Sequence, residues 1–242
     1  SGRVAVVTTT PAYKCPAAPY EAVMLLEDTC RRRGIRDRVE IDFHAAEPGP
    51  MGVAGPEVSA GVRGMLESRG IRYHPGRELR SVDPESRTLR FSEDAQVEYD
   101  LLAFVPPHRA PKVVREAGLT DETGWVPVDR GTLETSFPSV FAVGDVIQIP
   151  LALGKPLPMA GVFANRQAEV VARNLADAWA GREPGAEFDG HGWCIIETGG
   201  GRGGIGKGNF YAEPTPEVGL RGPGRLWHWA KVAYEKWWLW KW

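Results

Sequence analysis

The chain is short of cysteine, of excess charge and of long apolar runs. Three cysteines in 242 residues are too few for a disulfide framework, and an odd number leaves at least one thiol free, so redox chemistry is permitted while structural stapling is not expected. A formal net charge of -2 offers no concentrated basic face for phosphate, and no nucleic-acid partner is expected. No apolar run reaches the roughly 18 residues that a membrane-spanning helix needs. The histidines, His44, His74, His108, His191 and His228, show no ligand spacing with cysteine or carboxylate, so no metal site is predicted. No signal-peptide pattern opens the sequence, and Ser1-Gly2 reads as an internal start, which leaves open a targeting segment in a longer parent. What remains is ordinary globular composition, 43% hydrophobic and 25% charged. That suffices to bury a sizeable core in one large domain or two small ones, of α/β or α+β class.

Hydrophobic periodicity supplies the organisation. Residues 4–9 are β-branched and read as a strand, followed by a loop over 12–19 and a helix over 20–33 that Gly34 stops. A strand at 39–44, a helix at 58–69 ended by Gly70 and a strand at 71–74 continue the alternation, which predicts βαβ units and a parallel sheet. Strands at 78–82, 88–91 and 96–99, the last running into 101–105, predict an antiparallel excursion that ends at Pro106-Pro107, a natural domain boundary. Beyond it come a helical fragment at 113–117, a buried strand at 140–143 ending in Gly144-Asp145, and a long helix from about Ala160 to Trp179. Residues 199–208 are dominated by glycine and read as a flexible loop; they mimic phosphate-loop spacing but lack its Gly-Lys-Ser/Thr ending. Residues 225–242 carry six of the nine tryptophans. The expected division is 1–105, 106–185 and 186–242.

A dinucleotide site requires a glycine-rich turn after the first strand, so that a helix N-terminus can approach pyrophosphate. Here that turn is Tyr13-Lys-Cys-Pro-Ala-Ala-Pro-Tyr-Glu21, whose prolines remove amide donors. A Rossmann-like domain without nucleotide binding follows. Cys15, near a helix N-terminus and beside Lys14, should have a lowered pKa and act as a thiolate; the alternative is a small buried hydrophobe. Cys30 sits on the apolar stripe of the first helix with Leu26 and Val23, a core position. Gly144-Asp145 aims a carboxylate at a ribose or ribityl hydroxyl, or else makes an ordinary turn. In the tail, a helical wheel groups Leu226, Trp229, Ala230, Ala233, Trp237 and Trp240 on one face, with His228, Lys231 and Glu235 opposite. This pattern describes a helix lying in a membrane interface, or one docking on protein.

These strings carry a family resemblance. Lys14-Cys-Pro-Ala-Ala-Pro-Tyr-Glu21 resembles the segment of sulfide:quinone oxidoreductases and flavocytochrome c sulfide dehydrogenases in which a redox cysteine faces the flavin, and Cys15 matches that cysteine. Gly192-Trp-Cys-Ile-Ile-Glu-Thr-Gly199 resembles the segment bearing their second active-site cysteine, which implies a catalytic Cys194 that otherwise packs in a strand. Residues 135–146 resemble the second flavin motif of two-dinucleotide-binding-domain flavoproteins, which implies that Gly144 and Asp145 hold the ribityl chain. Residues 157–168 resemble the helix whose N-terminus faces the flavin pyrimidine, which implies cofactor contacts at Ala160 and Gly161. Met159 stands where many relatives have lysine, and Lys155 lies nearby but off the motif. Ala230-Lys-Val-Ala-Tyr-Glu-Lys236 resembles the C-terminal helix by which these enzymes sit on membranes and reach quinone.

The resemblance implies an α/β, Rossmann-like flavoprotein with a C-terminal α+β subdomain ending in an amphipathic helix. It implies an FAD-dependent oxidoreductase that oxidises sulfide to sulfur or polysulfide through a cysteine persulfide and passes electrons to quinone. It places the parent peripherally on a membrane, on the cytoplasmic side, through 225–242. The family's adenine-diphosphate fingerprint does not open this sequence, so the chain reads as a fragment, with the N-terminal FAD-binding segment as a further partner. Cytochrome c as acceptor, or a non-enzymatic partner- or membrane-binding module, are the competing readings.

Overall fold

The computed structural model describes residues 1–241; Trp242, which closes the predicted tail, lies outside the described residues. Strand β1 (Gly2–Thr8) buries Val4, Val6 and Val7 and leads through helix α1 (Ala18–Arg32) to β2 (Val39–Ala45). Helix α2 (Pro56–Glu67) connects to β3 (Arg72–His74), and β4 (Leu79–Asp83), β5 (Thr88–Phe91) and β6 (Gln96–Glu98) form an antiparallel sheet. The chain returns as β7 (Leu101–Val105) beside β1, which completes a parallel sheet of order β3-β2-β1-β7. The predicted βαβ alternation and antiparallel excursion are both present, with 96–99 and 101–105 divided between two sheets. Helix α1 begins earlier than the predicted residue 20, because Pro19 falls in the first turn, where a missing N–H costs no helical hydrogen bond.

After α3 (Lys112–Glu116) the chain is irregular until α4 (Gly161–Trp179). The predicted strand at 140–143 does not form. Only Phe141 makes a bridge, to Glu134, and Val140 is 39% exposed. The segment's neighbour is the short stretch 133–135, to which it is joined by the Thr135 amide donating to the Val140 carbonyl at 2.8 Å and the Ala142 amide donating to the Leu133 carbonyl at 3.1 Å. This pairing stops at one bridge and builds no longer ladder. Strands β8 (His191–Gly199), β9 (Arg202–Asn209) and β10 (Glu217–Gly224) form a second antiparallel sheet, and α5 (Arg225–Lys241) closes the described chain.

Residues 202–208, expected as part of a flexible glycine loop, lie in the central strand β9 (Arg202–Asn209) of that sheet; only the turn at Gly199–Gly201 remains. At Gly208 close approach is the reason. A Cβ at Gly208 would stand 1.9 Å from the Glu217 carbonyl oxygen, so a side chain there is excluded by backbone.

One hydrophobic cluster joins Tyr20 and Met24 of α1, Phe43 of β2 and Leu66 of α2 to Val126, Ile147, Phe163, Ile196 and Phe210 from the later chain. Cys30 is buried, as its place on the helix stripe predicts. A second, smaller cluster of Ala5, Val7, Leu89, Phe91 and Tyr99 fills the opposite face of β1 beneath β5. Both faces of β1 are therefore covered, as a continuous apolar strand requires, while Leu101 and Phe104 of the edge strand β7 stay exposed.

A buried carboxylate ties the helices at one end. Glu27 is fully buried and is ion-paired with Arg31 at 2.6 Å, Arg36 at 3.3 Å and Arg69 at 3.3 Å, which links α1 to the segment before β2 and to the end of α2. Removing the acid leaves three guanidinium groups crowded without a counter-charge. Glu27→Ala is expected to lower the unfolding free energy by about 3 kcal/mol, read as a shift in urea midpoint at constant slope. An unchanged midpoint would show the cluster to be energetically idle.

Candidate functional site

The turn after β1 delivers Cys15. Its backbone is left-handed, φ 53°, a conformation that costs a non-glycine residue strain and persists only when the surroundings enforce it. Here they do. The Cys15 amide donates to the Met159 carbonyl at 2.6 Å, the Ala18 amide to the Cys15 carbonyl at 2.9 Å, and the Lys14 amide to His108 Nδ1 at 2.9 Å. On the two sides of Cys15, the Tyr13 hydroxyl donates to Glu47 at 2.7 Å and the Tyr20 hydroxyl donates to the same oxygen. Glu47 is buried, and loss of hydration pushes its carboxyl up against the opposing pull of the two hydroxyls and Lys155.

Cys15 faces a cleft of about 620 Å³ that Cys194 also lines, together with Ala160, Gly161, Glu21 and Lys231. Both cysteines extend into an adjoining apolar pocket with Val53, Phe163 and Phe210. The chain thus brings a thiol from the turn after β1 to a thiol on β8, and sets both at the N-terminus of α4. The two thiols are free.

Gly144 lies beside this cleft, in a small pocket shared with Ala160, at φ 73°. A Cβ there would come within 3.0 Å of the Ala164 Cβ, so the turn packs directly on α4, and the Gly144 amide donates to the buried Gln167 side chain at 2.8 Å. Asp145 is half-buried, has no hydrogen-bond partner among the described residues, and acts electrostatically on both Cys15 and His108. Among the described residues no side chain caps the first turn of α4. A half-buried carboxylate in want of donors beside an uncapped helix N-terminus fits the hydroxylated chain and electron-poor ring of a flavin. The turn after β1 is occupied by Tyr13, Pro16 and Pro19, and its prolines have no backbone N–H to donate.

Cys15 is not primed as its sequence neighbours suggested. Burial pushes Cys15 above its usual pKa, the Ala18 amide opposes this, Glu21 and Asp145 raise it further, and Lys231 lowers it. The residue is exposed at the rim of the cleft, yet the surrounding protein strips enough water from the sulfur to dominate. Lys14 does not help: its ammonium lies 5.6 Å above the Trp125 ring. Cys194 is raised to about 11, first by burial and then by Cys15 and Glu21.

Sequence reasoning missed the ionic network around the cleft. Lys231 donates to both oxygens of Glu21 at 2.7 and 2.6 Å, and the Glu197 amide donates to Glu21 at 2.9 Å. His228 and Glu197 are bonded at 3.0 Å. Glu21 ends the string that contains Cys15, and Lys231 lies in the tail motif, so both were within quoted segments but were assigned no role. The network docks the polar side of α5 onto α1 and β8, and Tyr234 packs edge-on against Trp193 at 5.1 Å. The opposite side, with Leu226, Trp229, Trp237 and Trp240, stays exposed, Trp240 at 83%. No described helix is long and apolar enough to cross a membrane.

Comparison with known proteins identifies what the chain is similar to. The pyridine nucleotide-disulphide oxidoreductase family matches residues 4–168. The mitochondrial sulfide:quinone oxidoreductase of Dictyostelium discoideum is 30% identical over 203 residues, 81% of this chain and 43% of that protein. The sulfide-quinone reductase of Aquifex aeolicus is 26% identical over 258 residues, covering 98% of this chain and 57% of its own length. The crystal structure of the A. aeolicus sulfide:quinone oxidoreductase superposes with a TM-score of 0.83 at 25% identity, covering 99% of this chain and 58% of that one. The chain spans about half the length of the curated relatives it matches.

Raised thiol pKa values have a direct consequence. Alkylation by iodoacetamide is expected to be slow at pH 7 and to accelerate beyond pH 9, with Cys15 reacting ahead of the more buried Cys194. Lys231→Met, which removes the cation that opposes both shifts, should slow both cysteines several-fold at pH 8, as followed by peptide mass spectrometry. Rapid modification of Cys15 at pH 6 would contradict this electrostatic account.

Proposed function

Because the chain belongs to the pyridine nucleotide-disulphide oxidoreductase family, we propose that it is the sulfur-handling portion of an FAD-dependent sulfide:quinone oxidoreductase, with Cys15 and Cys194 as the redox pair. The observation that carries this reading is the convergence of the two cysteines on one cleft at the N-terminus of α4. Cys15 and Cys194 would work from the disulfide state. Hydrosulfide attacks one sulfur, the S–S bond breaks, and one cysteine carries a persulfide while the other leaves as thiolate.

Lys231 is the cation placed to favour that leaving thiolate, since it lowers both pKa values. Glu21, held by Lys231 and the Glu197 amide, lines the same cleft and is positioned to accept the proton that the incoming sulfur sheds. The apolar pocket beyond the thiols, walled by Phe163, Phe210 and Val53, excludes water and suits uncharged sulfur chains. Gly144, Asp145, Ala160 and Gly161 are the residues that would hold the flavin. The outer sulfur of the persulfide passes to a second hydrosulfide, which leaves as polysulfide and frees two cysteine thiolates. FAD, when bound, would supply the two-electron acceptor by which those thiolates return to the disulfide, and would relay the electrons to quinone.

The exposed tryptophan ridge of α5 supports quinone over a soluble acceptor such as cytochrome c, because it suits a membrane interface beside the cleft. On this reading the protein sits peripherally on a membrane, facing the cytoplasm, through α5.

The FAD-loaded protein, titrated with sulfide without oxygen, should lose its visible flavin absorbance, and Cys15→Ser or Cys194→Ser should each slow that loss by more than about 100-fold. A wild-type flavin that sulfide leaves oxidised would sink the proposal. Trp229→Ser together with Trp237→Ser and Trp240→Ser should weaken vesicle binding at least about tenfold. Vesicle binding by protein that retains no yellow cofactor would favour a non-enzymatic module.

A further inference from the structure

Strands β2 and β3 each turn alternate side chains away from the main core. Phe43 and Tyr73 pack edge to face inside it at 5.5 Å. On the other face the parallel register sets Asp42 opposite Arg72 and His44 opposite His74. Strand periodicity and pairing together therefore gather an acid, two imidazoles and a guanidinium that look unrelated along the sequence.

The histidine at the centre is unusual. His44 is 2% exposed, and neither of its ring nitrogens has a hydrogen-bond partner among the described residues. Its ring lies between His74, stacked at 4.6 Å and 11°, and Phe91 at 4.8 Å. An imidazole buried with both nitrogens idle carries an uncompensated desolvation cost of about 1–3 kcal/mol, and a group of this kind calls for a missing partner. That partner has company close by. One ligating atom from each of Asp42, His44 and His74 lies within 4.8 Å of the other two.

We propose that Asp42, His44 and His74 form a binding site for one divalent transition-metal ion of the zinc class. The donors decide the class. Two imidazoles with one carboxylate suit Zn²⁺, Co²⁺ or Ni²⁺, whereas Ca²⁺ and Mg²⁺ require an oxygen cage.

The ion takes the place of the proton now shared between His74 Nε2 and Asp42 Oδ1, which stand 2.8 Å apart. Bonds of about 2.0–2.2 Å to each donor set the donors slightly further apart than that, so the pair opens while His44 closes in. Nearly parallel rings cannot aim both lone pairs at one point, and one imidazole must tilt. Phe91 confines His44, whereas the His74 side chain is 31% exposed and is the ring with room to tilt.

Arg72 supplies the outer support. It donates to Asp42 at 2.7 and 2.6 Å and to Glu40 at 2.7 Å, fixing the carboxylate while leaving each oxygen a second lone pair. Its positive charge weakens the site, and the two carboxylates offset it. The proposed centre lies on the face of the sheet away from α1, so its effect is to clamp β3, an edge strand of three residues, onto β2.

The test is titration of the chelator-treated chain with Co²⁺, followed by Zn²⁺ competition, in a Cys15→Ser/Cys194→Ser background that removes the cleft thiols as ligands. One Co²⁺ per chain is expected, with visible d–d absorption, no sulfur charge-transfer band, and displacement by Zn²⁺. His74→Asn, at the surface, should lower the affinity at least tenfold with an unchanged circular dichroism spectrum. His44→Leu should abolish binding; if that variant does not fold, His74→Asn alone decides. Loss of all saturable binding in the Cys15→Ser/Cys194→Ser background, or undiminished affinity in His74→Asn, would overturn the proposal.

Discussion

The hydrogen bond from the Cys15 amide to the Met159 carbonyl is the constraint on which the site depends. It joins the turn that leaves the parallel sheet to the segment that starts α4, two stretches far apart in the chain. Cys15 can hold a left-handed backbone only because that bond, the Ala18 amide and the two tyrosines on Glu47 leave it no alternative. Without the strap, the thiol and the helix N-terminus would be independent features. With it, they become two walls of one cleft.

The second antiparallel sheet brings the other wall. Its central strand is glycine-rich, because β8, β9 and β10 approach more closely than side chains permit, as the Gly208 contact with Glu217 shows. That proximity lets β8 carry Cys194 to the cleft while α5 lies across the sheet. Lys231 and His228 of α5 turn inward, to Glu21 and Glu197, while Leu226, Trp229, Trp237 and Trp240 stay exposed. A helix normally buries its apolar side; here ion pairs at the cleft hold the reverse arrangement, and the apolar ridge is left for another surface.

Electrostatics at the thiols shows how far neighbours in sequence can mislead. Lys14 is adjacent to Cys15 but stacks on Trp125, whereas Lys231, from the opposite end of the chain, is the cation that acts on both sulfurs. Desolvation then outweighs every favourable charge. Such a balance depends on which atoms surround the sulfur, and strand or helix periodicity carries no record of it.

The linear order of residues was sufficient for the alternating strands and helices of the first hundred residues, for the buried place of Cys30, and for the strings around Cys15, Gly144-Asp145 and Cys194. These are local properties: side-chain periodicity, turn chemistry and short motifs are complete within a few neighbours. It failed at 140–143, where the pairing with 133–135 ends after a single bridge, and at 202–208, where the glycines belong to a strand in place of a loop. Only the tertiary structure set Cys15 and Cys194 in one cleft, raised their pKa values, paired Glu21 with Lys231, and stacked His44 on His74 through the register of two parallel strands. Each of those outcomes is a relation between distant segments, and distance in space becomes defined only once the chain has packed.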